Sequence, residues 1–197
     1  MSLSKKLQEN LEFFNISTDE FTIFEWKPPR SYKSYMLDLN ILKQNPVNDI
    51  FFHMDKGNLK IVHIRKDKLI YSAGANIELQ FQLLEAFIVH VSELFHDTYA
   101  VDTILSYGNF DSSVFSGFKT HIEDSITGFD SLNLVKEIKV QCKVCNSILP
   151  LSVRRKLIEE SESHPVPIVY NHKGHALLCF IDKNFSVRGE ELVNITG

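Results

Sequence analysis

The stretch LLEAFIVHVSELFHDTY, residues 83–99, decides the fold of the larger part of this chain. It belongs to a segment, 77–97, in which apolar residues recur at intervals of three and four. These are Leu79, Leu83, Leu84, Phe87, Ile88, Val91, Leu94 and Phe95. That period predicts a long amphipathic α-helix. Such a helix has to bury its apolar side against another layer, and we expect the flanking segments to supply a sheet.

Several short strand candidates precede this helix. Apolar residues that alternate with polar ones, or cluster between turn signals, predict strands at 20–26, 35–41, 49–55, 58–65 and 67–74. The turn before residue 58 contains Gly57, which we expect to take a positive φ. Consecutive strands joined by tight turns predict an antiparallel meander.

Helical patterns both precede and follow the predicted strands in the sequence. Residues 1–15 carry the pattern of a short N-terminal amphipathic helix. Its apolar positions are Leu3, Leu7, Leu11 and Phe14. After the long helix we expect a strand at 101–107 and a second helix that Asp111 caps and Gly128 ends.

The last part of the chain has its own order of elements. Residues 151–161 predict a helix begun by Pro150, and strands are predicted at 164–172 and 175–182, with a final strand after a turn. The sequence therefore predicts an α+β protein with three parts: the N-terminal helix at 1–15, a sheet-and-helix domain at 16–135 and a small α+β domain at 136–197.

The composition describes an ordinary folded protein without a global charge bias. Of the 197 residues, 44% are hydrophobic and 23% charged, and the formal net charge is -4. This balance gives no electrostatic reason to expect nucleic acid or an anionic membrane as a partner. We find neither a long apolar run nor a secretory signal pattern, and we expect a cytoplasmic protein with no transmembrane segment.

From residue 58 to residue 126 the order of patterns resembles a known family. NLKIVHIRKDKLIYSAG (58–74), LLEAFIVHVSELFHDTY (83–99) and VDTILSYGNF (101–110) precede a helix that carries Phe115 and Phe118. This order looks like the second half of a longin-type domain, as in the small and medium subunits of clathrin-type adaptor complexes. A roadblock-like fold is the nearest alternative. The chain departs from the family before residue 58, since longin domains open on two strands and a helix, and several strand candidates stand there instead.

The resemblance implies a function class but no site. Longin-like domains are similar to non-enzymatic modules that bind small GTPases and form homo- or hetero-oligomeric assemblies in vesicle trafficking or signalling. Fold alone does not fix function. We therefore expect an adaptor, in a small-GTPase-linked or trafficking-type complex, that reaches membranes only through its partners. The alternative is a zinc-binding regulatory module that acts on nucleic acid, which the acidic net charge disfavours.

Four residues near the C-terminus have the spacing of a metal site. Cys142 and Cys145 form a Cys-x2-Cys pair, and His172 and His175 form a His-x2-His pair around Gly174. Zinc prefers four such ligands, and two tight turns can present them in pairs. The sequence predicts a tentative Zn²⁺ site at these four residues. Cys179 and His164 are candidate substitutes if one of the four is not a ligand.

Three other interpretations of the cysteines stay open. Cysteine is among the residues most often buried, so all three cysteines can be core residues. The Cys142–Cys145 pair can be redox-active, although CKVC followed by NSILP fits a thioredoxin-type helix start poorly. A thiol hydrolase would pair Cys179 with His175, but no oxyanion hole is evident nearby.

The aromatic segment FEWKPPRSY, residues 24–32, offers a second candidate for contact with partners. Trp26 stands beside a Pro-Pro break, in a polar segment. A large aromatic residue there either pins the loop to the core or anchors an interface. We favour the first, and keep the Trp26 region and the sheet edge as candidate contact surfaces.

Overall fold

The computed structural model describes residues 1–31, 47–106, 112–172 and 174–193, without the side chains of Ile104, Ser112 and His172. The chain divides into two compact units, Met1–Leu132 and Asn133–Gly197. Both contain antiparallel strands and helices, which confirms the α+β class. No helix in the described part of the chain has the length and apolar character to cross a membrane.

A five-stranded antiparallel sheet forms the centre of the first unit. Its strands are β1 (Leu11–Ser17), β2 (Thr22–Trp26), β3 (Phe51–Lys56), β4 (Leu59–Lys66) and β5 (Leu69–Asn76). Their spatial order is β2-β1-β5-β4-β3. The predicted meander is therefore confirmed for β3, β4 and β5, and Gly57 takes the expected positive φ of 63°. The strand predicted at 35–41 lies outside the described residues.

The long helix α2 (Phe81–Thr98) packs across β4 and β5, as its apolar period predicts. Aromatic rings fill this layer. Tyr71 on β5 lies 6.2 Å from the ring of Phe95 on α2, and Phe95 lies 4.9 Å from the ring of Phe118. Phe118 begins α4 (Phe118–Thr127), which ends at Gly128 as predicted. A 3₁₀ turn, Phe129–Leu132, follows, and the residue predicted to cap this helix, Asp111, lies outside the described residues.

The structure corrects two predicted elements of the first unit, the N-terminal helix in its length and the segment 101–107 in its type. The N-terminal helix α1 (Leu3–Asn10) is shorter than predicted, because Leu11 already belongs to β1. Phe14 faces Ala73 of β5, and β1 is buried along almost its whole length, so its apolar residues do not show the alternation that marks a half-exposed strand.

The segment predicted as a strand at 101–107 begins instead with the short helix α3 (Val101–Ser106). Asp102 lies in the first turn of this helix, where its carboxylate interacts favourably with the helix dipole. The hydroxyl of Ser106 donates to the carbonyl of Asp102 over 2.5 Å. These local interactions stabilise one turn of helix. A 3₁₀ turn, Ser112–Phe115, precedes α4.

The second unit contains a two-stranded and a three-stranded antiparallel sheet. The first is the hairpin of β6 (Val135–Gln141) and β7 (Ile148–Arg154), followed by the short helix α5 (Arg155–Glu159). The second consists of β8 (Val166–His172), β9 (His175–Ile181) and β10 (Val187–Val193), in the order β10-β9-β8. The predictions of strands in the 164–182 region are confirmed.

The helix predicted at 151–161 is wrong for its first four residues. Pro150 lies within β7, opposite Lys139 of β6, and the helix begins only at Arg155. The apolar residues Leu149, Leu151 and Val153 alternate in the sequence with Pro150, Ser152 and Arg154, and this period of two is the strand signal that the predicted helix disregards.

Candidate metal centre

The two cysteines of the Cys-x2-Cys pair lie in the turn that joins β6 to β7. Cys142 N–H donates to the carbonyl of Ser147 over 2.9 Å, and Asn146 N–H donates to the carbonyl of Cys142 over 2.7 Å. Asn146 takes a φ of 55°, a left-handed conformation that asparagine tolerates better than most residues. The turn therefore folds back directly after Cys145.

The two histidines stand at the end of the neighbouring hairpin. His172 is the last residue of β8 and faces His175, the first residue of β9. Gly174 between them takes a φ of 79°, which a residue with a side chain adopts at a cost. The side chain of His172 and all of Lys173 lie outside the described part of the structure.

Three of the four predicted ligands come together. The Sγ atoms of Cys142 and Cys145 and a ring nitrogen of His175 all lie within 4.8 Å of one another. The Sγ of Cys142 lies 3.5 Å from Nδ1 of His175, although the two residues are 33 positions apart. Cys142 is buried, His175 half-buried and Cys145 exposed. This Cys2His cluster can hold a metal ion.

The substitutes Cys179 and His164 do not join this cluster. Cys179 follows His175 on β9 by four residues, about 13 Å at the ~3.3 Å rise of a strand, and it is fully buried beside Leu177 and Ile181. Burial, with a smaller contribution from Glu190, raises the pKa of the Cys179 thiol to about 11. His164 instead lies 3.0 Å from the carbonyl of Ile158 through its Nε2.

The structure supports different interpretations for different cysteines. Cys142 and Cys179 belong to the apolar core of the second unit, but the exposure of Cys145 contradicts the interpretation that all three are core residues. The separation along β9 argues against a Cys179–His175 catalytic pair. The proximity of Cys142 to Cys145 is compatible with both metal binding and redox chemistry.

Strand β10 holds the cysteine turn in place. Lys143 Nζ donates to the backbone carbonyl of Glu190 over 2.7 Å. The carboxylate of Glu190 accepts a hydrogen bond from Gln141 N–H over 3.3 Å. No sequence signal indicates this role of Glu190, because Gln141 and Glu190 are 49 positions apart and no local pattern connects them.

Trp26 is not an interface anchor. It is only 5% exposed, and its Nε1 donates to the carboxylate of Glu123 on α4 over 3.4 Å. The interpretation in which this aromatic segment pins a loop to the core is confirmed for Trp26, and the contact interpretation is wrong for this residue.

No protein-family model matches the sequence, and a search of curated proteins finds no match.

Proposed function

We propose that the second unit binds one Zn²⁺ through Cys142, Cys145, His172 and His175, and that the ion supports the fold of this unit. The observation that carries the proposal is the convergence of two thiols and one imidazole from the ends of two separate hairpins. Two Cys and two His are a common ligand set of structural zinc, which takes four ligands in a tetrahedron.

The spacing of the donor atoms fits a shared tetrahedral ion. Zn–S and Zn–N bonds of about 2.3 and 2.0 Å at a tetrahedral angle place the two donor atoms about 3.5 Å apart. The Sγ of Cys142 and Nδ1 of His175 are separated by 3.5 Å. The remaining distances, all within 4.8 Å, need little adjustment to close around an ion.

The backbone supports His172 as the fourth ligand. His172 pairs directly with His175 in the β8–β9 register. Residues that face each other in an antiparallel pair share one face of the sheet, with Cβ atoms about 4.5–5.5 Å apart. The register therefore places the backbones of the two histidines side by side at the end of the hairpin.

The small size of the second unit is a physical reason for a metal ion to stabilise its fold. The unit spans Asn133–Gly197, and its core is one small cluster around Leu177, Cys179 and Ile181. Domains this short bury a smaller fraction of their surface than larger domains do, and they are often stabilised by a metal. An ion that joins the two hairpins would offset part of the chain entropy lost on folding.

For the whole chain we propose a non-enzymatic protein-interaction function, as an adaptor in a small-GTPase-linked or trafficking-type complex. The support is the longin resemblance together with the plan of the first unit, in which β1 and β2 come before β3 in the chain and a long helix crosses the sheet. Within the described part of the sheet, β3 is an edge strand and the candidate contact surface. It is mostly half-exposed or exposed, and Ile50 directly before it is 49% exposed.

The metal proposal is tested by elemental analysis of protein purified without added zinc. We expect one equivalent of zinc in the wild type and its loss in Cys142→Ser and His172→Ala. The matched controls Cys179→Ala and His164→Ala change the same residue types in the same unit outside the cluster, and we expect them to retain the ion. A folded wild type without metal, or controls that lose it equally, would contradict the site.

The interaction proposal is tested by binding of the full chain to purified small GTPases in both nucleotide states. DNA and RNA are measured in parallel at several salt concentrations. We expect nucleotide-dependent GTPase binding that Ile50→Asp weakens and that Val114→Asp, changed at a residue 54% exposed, does not. Tight, salt-sensitive nucleic-acid binding without GTPase binding would instead favour the nucleic-acid alternative.

A further inference from the structure

We propose that the Cys142–Cys145 centre is a redox switch, in which a peroxide converts the two thiolates into a disulfide and thereby releases the Zn²⁺. This inference rests on the proposed zinc site and names its regulation. It starts from the unequal exposure of the two sulfur ligands, since Cys145 is exposed and Cys142 is buried.

The exposed sulfur is the one that an oxidant reaches. Cys145 is exposed in the turn between β6 and β7, and its Sγ is 3.3 Å from the hydroxyl of Ser147. A zinc-bound cysteine is deprotonated, and the thiolate is the form that reacts with peroxide. The Cys145 sulfur attacks one peroxide oxygen, the O–O bond breaks, and a sulfenic acid and one hydroxide form.

The buried sulfur of Cys142 is close enough to Cys145 to complete the reaction. The Sγ of Cys142 lies within 4.8 Å of the Sγ of Cys145. The Cys142 thiolate attacks the Cys145 sulfur, the S–S bond forms, and the S–O bond breaks with loss of a second hydroxide. Each hydroxide takes a proton from solvent. Two electrons pass from the thiolates to the peroxide, and two water molecules result.

The ion cannot remain after this step. A disulfide offers no thiolate, so the Zn²⁺ keeps at most the two histidine ligands. Because the ligands come from the β6–β7 turn and the β8–β9 turn, loss of the ion removes the link between the two hairpins. Oxidation would therefore uncouple the hairpins, and reduction with zinc present would restore the link.

The third cysteine serves as an internal control. Cys179 is fully buried, and burial raises the pKa of its thiol to about 11, which keeps it protonated at neutral pH. A protonated, inaccessible thiol does not react readily with peroxide. The oxidation is therefore expected at Cys142 and Cys145 while Cys179 remains a thiol.

The experiment treats the zinc-loaded full chain with hydrogen peroxide and follows released zinc with a chromogenic chelator. Peptide mapping by mass spectrometry locates the disulfide. We expect one equivalent of zinc released per Cys142–Cys145 disulfide, an unmodified Cys179, and recovery of zinc binding after a dithiol reductant and zinc are added. Cys179→Ala should release zinc at the wild-type rate, whereas Cys145→His, which keeps a ligand but cannot form the disulfide, should retain zinc at least tenfold longer.

The outcomes separate this inference from the zinc site itself. Protein that contains zinc but keeps it under peroxide, or that loses it with oxidation elsewhere, overturns the switch and leaves the metal site intact. Protein that never contains zinc overturns both. If Cys145→His fails to bind zinc, the mapped disulfide and the stoichiometry of release in the wild type still decide the question.

Discussion

His63 on β4 should make the first unit less stable at mildly acidic pH than at neutral pH. Its side chain is 4% exposed and its ring lies stacked on Phe52, with centroids 5.4 Å apart. Neither ring nitrogen has a hydrogen-bond partner within the described residues. Burial, with smaller contributions from His53 and Arg65, lowers the pKa of His63 to about 4 from 6.5.

The size and sign of the effect follow from proton linkage. Well above pH 6.5 the imidazole is neutral in both the folded and the unfolded state, and the titration of His63 costs no stability. As the pH falls from 6.5 towards 4, the unfolded state binds a proton that the folded state does not, so the free energy of unfolding decreases. The difference between a pKa of 6.5 in the unfolded state and about 4 in the folded state corresponds to a loss of about 3 kcal/mol when the titration is complete.

Trp26 provides the assay. It is the only tryptophan of the chain, and it is buried in the first unit, so its fluorescence reports the unfolding of this unit. Urea unfolding is measured from about pH 7.5 to about pH 4.5 for the wild type and for His63→Phe, which preserves an aromatic ring against Phe52 and cannot titrate. We expect the wild type to lose about 2–3 kcal/mol more than the variant over this range.

The comparison of two pH profiles removes the contribution of the other titrating groups, which both proteins share. A constant offset between the two profiles is expected if the substitution changes packing, and it does not affect the conclusion. Profiles that run parallel over the whole range would refute the account, because they would show that the folded state accepts a proton at His63 as readily as the unfolded state.

Three further substitutions test the contacts described above. Gly74→Ala should destabilise the first unit by about 1–3 kcal/mol in urea unfolding, because an added Cβ would lie 2.0 Å from Cε1 of Phe13. An unchanged urea midpoint would mean that the Phe13 ring moves aside without cost. Asn146→Ala should lower the stability of the turn by about 1 kcal/mol, because alanine is disfavoured in the left-handed conformation of residue 146. In a chelator competition this variant should bind zinc about fivefold more weakly than the wild type, whereas Asn146→Gly should bind zinc as tightly as the wild type. Equal zinc affinities for both variants would show that the turn conformation does not affect the site. Asp130→Ala removes the carboxylate that accepts hydrogen bonds from the N–H groups of Leu3 and Ser4. We expect the free energy of unfolding to fall by about 1 kcal/mol and amide exchange to become faster in α1 alone. Unchanged exchange in α1 would contradict the capping role of Asp130.

The sequence determined the elements whose signals are local. The period of α2 and the turn at Gly57 depend on residues within a few positions of each other, and both were predicted correctly. The errors at residues 11–14 and 101–106 occur where a short apolar pattern suits helix and strand equally. There the choice depends on which partner strand is present, and pairing with β5 decided it for β1.

The metal cluster shows the same division between local and distant information. The spacing of Cys142 and Cys145, and of His172 and His175, marked two pairs of ligands in the sequence. Only the tertiary structure placed Cys142 beside His175, fixed the turn through Glu190 and buried Cys179 away from the cluster. Residue spacing controls which side chains share a turn, whereas the distance between two turns is set by the pairing and packing of strands that are far apart in the chain.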